Sequence, residues 1–202
     1  MRLIPLVALI TALTLPTLPE PASAQLTPEQ HQRLIRASQD MARRGIRYSA
    51  RWNPPGESKP WIMDCSNTAR WIYKSALGKD LPRTASDQFH LLQQQGRITP
   101  VPRRRDGSID LDRLFNSLRS GDLLFWEWTY NTKRNPPITH VMIYLGRTAN
   151  GVHKMFGANT RSQGELSGTR GGPDIYIFDP RKPMGGVRGP QDGRFVAFGR
   201  PG

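Results

Sequence analysis

The sequence runs to 202 residues, with 29 Lys and Arg against 16 Asp and Glu, a formal net charge of +13 and one cysteine. That length suits one domain with a real core and is short for two, while a single cysteine excludes an intramolecular disulfide framework. The basic residues are scattered, densest at Arg103–Arg105, with no finger spacing or RNA-recognition signature, so no nucleic-acid partner is expected; such a surface favours anionic polymers of the cell envelope.

Residues 1–24 run from Arg2 through an apolar stretch, Leu3–Leu15, to Ala22-Ser23-Ala24, a small-residue cleavage signature. The apolar stretch is short of the roughly 20 residues a spanning helix needs and is bounded and interrupted by Pro5 and Pro16. We read 1–24 as a cleaved signal peptide and 25–202 as the mature domain, periplasmic or secreted, with no transmembrane anchor after cleavage. Cleavage removes Arg2 and Glu20, one of each sign, so the balance stays at +13.

Thr27, Pro28 and Gln30 carry the N-cap, first-position and capping-box signals of a first helix that stops at Gly45. Ile46–Trp61, with three prolines and a glycine, reads as an extended loop. Asp64 caps a second helix in which Ala69, Ile72, Tyr73 and Ala76 recur at helical spacing before Gly78 ends it. Cys65 occupies its first turn, where unpaired backbone N–H groups and the helix dipole favour thiolate over thiol. A third helix is expected over about 85–95, capped by Thr84 or Ser86, and a fourth over about 111–118. After Ser120-Gly121-Asp122 the period changes, and 123–128, 139–146, 151–158, 174–178 and 194–199 read as strands. Helices followed by strands predict an α+β fold with an antiparallel sheet.

The four histidines supply no evident zinc set for Cys65, so no metal and no cofactor are expected. The lone thiol is then an inert buried group, an intermolecular bridge or a nucleophile.

Four segments select among these. Asp64-Cys65-Ser66, followed by Leu81-Pro82-Arg83-Thr84 before the next helix, resembles the nucleophile helix of NlpC-type cell-wall peptidases, papain-like cysteine enzymes. The 45–52 segment around Tyr48 resembles that family's upstream tyrosine segment, Gly121-Asp122 its entry into the sheet, and 139–146 its histidine strand. The likeness covers Ile46 to Gly146. It implies N-terminal helices packed on the sheet, Cys65 as nucleophile and His140 as its partner, the two forming a thiolate–imidazolium pair. It implies that Tyr48, Asp64 and Ser66 line a substrate pocket recognising a free amine on a short peptide stem. The implied reaction is hydrolysis of an amide bond in peptidoglycan stem peptides, between a D-isoglutamyl residue and a diamino acid. Peptidoglycan or another anionic envelope polymer is then the partner, and the protein a monomer.

Two departures stand out. Asn67 occupies the position where the family has glycine, at the expected pocket rim. The third catalytic position, a polar residue on the strand after His140, aligns with Met155 or Phe156, neither of which accepts a hydrogen bond. Asn159 is the candidate for it, with His153 second. These departures support an alternative: a catalytically weak or silent papain-like domain that binds envelope polymers or a protein partner.

Overall fold

Helix α1 (Pro28–Ala42) begins as its sequence predicts: the Thr27 hydroxyl accepts from the Gln30 N–H, and the Gln30 side chain accepts from the Thr27 N–H. It buries Leu34, Met41 and Ala42. Truncating a fully buried leucine such as Leu34 to alanine removes about 2–5 kcal/mol. The structure, a computed structural model, describes residues 25–185 and 193–201. The expected signal segment 1–24 and part of the Gly/Pro-rich stretch before Gly193 lie outside those residues.

The stretch read as loop contains a short parallel ribbon, β1 (Arg47–Tyr48) on β2 (Ile62–Met63), with Arg47 N–H donating to Trp61 O at 3.1 Å and Ser49 N–H to Met63 O at 3.1 Å. The proline-rich loop between the two is held by Asn53, whose side-chain amide donates to the carbonyls of Ser58 and Pro60. Tyr48 is thereby fixed beside Met63, one residue before Asp64.

Helix α2 (Cys65–Leu77) starts at its cap Asp64, whose Oδ1 accepts from the Asn67 N–H at 2.8 Å, and ends at Gly78, which takes the left-handed φ of +69° that glycine adopts without a Cβ penalty. Helix α3 (Ala85–Gln94) is capped by Thr84. Strand β3 (Ile98–Pro100) and helix α4 (Leu111–Ser117) follow, then β4 (Leu123–Glu127), β5 (Ile138–Arg147), β6 (His153–Gln163), β7 (Arg170–Ile177) and β8 (Arg194–Gly199). The six form one antiparallel sheet in the order β3-β8-β4-β5-β6-β7. The α+β expectation stands. Strand β3 was not expected because three residues ending in proline carry no alternation to read.

Both faces of the sheet are covered. Leu123, Phe125, Val141, Ile143, Phe156 and Ile175 pack with the helical residues Leu34, Met41, Ile72, Tyr73 and Leu92. Their strand neighbours Leu124, Trp126, Met142, Tyr144, Met155 and Tyr176 pack with Leu114, Leu118 and Phe195. Burial on two faces explains why the central strands read as continuous apolar runs. The Gly-Asp entry has a structural use: Arg200 donates to Asp122 Oδ1 through Nε at 3.1 Å and Nη2 at 2.8 Å, tying the last described turn of chain to the head of β4.

Two details of the sheet create space for a site. The β5–β6 pairing runs from Arg147–His153 to Ile143–Phe156 and is not continued as a ladder towards the start of β5. On β7, Gly172 has φ +88° and sits so close to the backbone of Ile46 that a Cβ would lie 2.0 Å from its carbonyl oxygen. That contact brings the Tyr48 segment against the sheet.

Candidate active site

Cys65 is the first residue of α2, and the thiol is buried. Its Sγ is within hydrogen-bond reach of the N–H groups of Val141 and Ser66 and of the Tyr48 hydroxyl. The Val141 contact follows from the opened ladder. Where β6 no longer pairs with β5, a strand N–H is released, and the head of α2 occupies the gap.

Burial pushes the thiol up to about 11, with the Asp64 charge adding to the rise, while the two N–H groups and the Tyr48 hydroxyl pull it back. Burial likewise pushes the Tyr48 hydroxyl well above the usual phenol range, with the neighbouring Cys65 and Asp64 reinforcing it. His140, the third residue of β5, is 6% exposed, and burial pushes its imidazole down to about 4. Each group alone is therefore driven to its neutral form.

Cys65 and His140 line one cleft of about 600 Å³. Tyr48, Asp64 and Ser66 line it too, as does Asn159, so the cleft gathers six of the residues singled out from the sequence. Their detailed contacts differ from the expectation. Asp64 Oδ1 accepts from the Asn67 N–H and from the Ser66 hydroxyl at 3.2 Å, and Oδ2 accepts from Arg83 Nη2 at 2.7 Å. Arg83 Nη1 also donates to the Ser66 hydroxyl at 3.0 Å, and Nη2 to the Ala50 carbonyl at 3.2 Å. The acidic end of the expected amine pocket is thus already bridged by a guanidinium from the Leu-Pro-Arg-Thr stretch.

Asn67 is 1% exposed and lies inside the fold, not at the cleft rim. Asn159 lies on β6 beyond its pairing with β5 and lines the same cleft as His140. Its Oδ1, however, accepts from the N–H groups of Arg161 at 2.9 Å and Ser162 at 3.1 Å. The Nε2 of His140 is buried without a hydrogen-bond partner, and the ring packs edge to face against Trp126, its cross-strand neighbour, with centroids 5.9 Å apart. His153 lies away from this cleft: its Nδ1 is 2.6 Å from the Tyr144 hydroxyl, and its ring stacks on Phe115 at 3.6 Å. Among the described residues no group of three or more His, Cys, Asp or Glu is arranged to hold a metal.

Sequence reasoning missed the opposite wall. Thr129, Tyr130 and Arg134 belong to the loop between β4 and β5, which is pinned where Thr129 N–H and Oγ1 meet the Thr139 hydroxyl at 2.8 and 2.9 Å. Arg134 Nη1 donates to the Tyr130 hydroxyl at 2.9 Å. No motif marks these residues, and only the tertiary fold brings them over Cys65.

A model of the NlpC/P60 family matches residues 51–170, more than half of the chain and a span that includes Cys65, His140 and Asn159 but not Tyr48. Among solved structures, a crystal structure from Staphylococcus aureus subsp. aureus Mu50, described as similar to lipoprotein, NLP/P60 family, aligns at 22% identity with a TM-score of 0.49. The alignment covers 81% of this chain and 40% of that one, so the chain spans well under half the length of that protein. No curated protein matches the chain.

Proposed function

The chain belongs to the NlpC/P60 family, and on that premise we propose that it is an exported cysteine hydrolase that cuts an amide bond in peptidoglycan stem peptides. The observation that carries the proposal is the setting of Cys65: a buried thiol at a helix head, facing the N–H groups of Val141 and Ser66 and the Tyr48 hydroxyl, in one cleft with His140.

In this reading His140 takes the thiol proton and Sγ forms a bond to the carbonyl carbon of the scissile amide. The resulting oxyanion is met by N–H donors at the head of α2. The carbon–nitrogen bond then breaks, the departing amine takes the proton from His140, and a thioester remains. Water attacks it with His140 as base, releasing a carboxylic acid and restoring the thiol. Asn159 supports His140 only after its side chain leaves the turn it now closes.

That last point also supports a second reading, a weak or silent domain that binds envelope polymers, since His140 Nε2 has no partner and Asn159 Oδ1 is committed elsewhere. Digestion of purified peptidoglycan by mature protein beside Cys65→Ala, with products identified by mass spectrometry, separates the two. Stem-peptide fragments that vanish in the variant support the hydrolase and name the bond, and no fragments with a sluggish thiol supports the binder. Sequencing the N-terminus of the exported protein tests cleavage after Ala24.

A further inference from the structure

Among the described residues the substrate cleft is lined by one carboxylate, Asp64, and two guanidinium groups, Arg83 and Arg134. Both oxygens of Asp64 are engaged, Oδ1 by the helix it caps and by Ser66, Oδ2 by Arg83. Arg83 and Asp64 therefore neutralise one another, and an incoming ammonium group meets a carboxylate already bridged, beside two cations.

Arg134 is in a different position. Among the described residues it has no carboxylate partner within ion-pair distance. It is not free to sweep through solvent either: Nη1 is held by the Tyr130 hydroxyl, and the loop carrying both is anchored to β5 at Thr139, next to His140. Tyr130 and Arg134 line the same cleft as Tyr48 and Cys65. A tethered guanidinium that lines the same cleft as Cys65 and, among the described residues, keeps donors beyond the one given to Tyr130 is suited to a planar anion, which it can grip through two N–H groups.

We propose that the cleft selects substrate by a carboxylate bound at Arg134 and Tyr130, and not by a free amine bound at Asp64. This rests on the hydrolase reading for its substrate, a peptide with a free carboxylate near the scissile amide, but the binding itself needs no catalysis.

The test uses the full mature chain carrying Cys65→Ala, so that nothing is cut, and γ-D-glutamyl-L-lysine amide as the probe. The glutamyl carboxylate is left free or amidated and the glutamyl amine left free or acetylated, and each of the four forms is titrated calorimetrically. Amidation is expected to weaken binding about tenfold, the scale of one charge-assisted contact, and acetylation to change it less than about twofold. Adding Arg134→Gln should erase the amidation effect, and Tyr130→Phe, which frees the guanidinium, should shrink it. Both side chains are exposed, and neither substitution removes a core group. Equal binding of free and amidated probe, undiminished discrimination in Arg134→Gln, acetylation costing more than amidation, or no binding of any form would each overturn the proposal. Peptidoglycan digestion reads hydrolysis independently, so carboxylate-dependent binding without digestion would retain this subsite and reject the enzyme.

Discussion

The Tyr48 hydroxyl stands beside the Cys65 thiol and favours its ionised form, although 17 residues and a proline-rich loop separate the two along the chain. The β1–β2 ribbon makes that contact, since it sets Tyr48 against Met63, two residues before Cys65. A hydrogen bond to a charged group contributes about 1.5–3 kcal/mol. Tyr48→Phe should therefore slow iodoacetamide alkylation and peptide hydrolysis by about tenfold or more, while retaining the ring and leaving the thermal midpoint nearly unchanged. Unaltered rates would mean that the hydroxyl does nothing for the thiolate.

His140→Ala removes the one imidazole that lines the cleft among the described residues. What remains is a thiol that burial holds up to about 11. Alkylation at pH 7.5 should fall at least about tenfold, and the rate profile should become a single rise towards alkaline pH. A neutral-pH rate equal to wild type would rule out His140 as the proton acceptor.

The same histidine should leave a mark on stability. Its folded value lies near 4, below the ordinary 6.5 it regains on unfolding, so the unfolded chain binds the extra proton first. Stability attached to this group is complete above pH 6.5, is lost as pH falls towards 4, and changes no further below that. The full loss is about 3 kcal/mol, from roughly 1.4 kcal/mol per pH unit. Urea unfolding from pH 7 to 4 should show a shallower decline for His140→Gln than for wild type. Parallel curves would mean that the imidazole is not kept neutral by burial.

Gly172→Ala tests how the Tyr48 segment is held. The new methyl would meet the Ile46 carbonyl at 2.0 Å and would impose a left-handed φ on a residue with a Cβ. We expect a loss of more than about 2 kcal/mol by urea unfolding, together with slower alkylation as Tyr48 is pushed from Cys65. An unchanged unfolding midpoint would show that the ribbon can shift at no cost.

Sequence reading went furthest where chemistry is local. The Thr27, Asp64 and Thr84 caps and the Gly78 stop depend on neighbours a few residues away, and all can be read from spacing. The same holds for Cys65 at a helix head and for His140 near the start of a strand. What escaped depends on distant chain. The three-way reach of Arg83 to Asp64, Ser66 and Ala50 and the placing of the Tyr130–Arg134 loop in the cleft have no periodicity and no fixed offset from the motifs they modify. Asn67 was misjudged because its neighbour in sequence, Ser66, faces the cleft, whereas the helix turn carries Asn67 inward.

Asp64 starts the Cys65 helix with one oxygen and holds Arg83 with the other. Replacing it would unfasten the helix that presents Cys65 in the same stroke as it altered the charge of the cleft. A lineage exploring new substrates has little room at this position, because any variant there is handicapped before its selectivity can be tried. Diversification is left to the partners around it, Arg83 and the Tyr130–Arg134 loop, which can change without dismantling the support of Cys65.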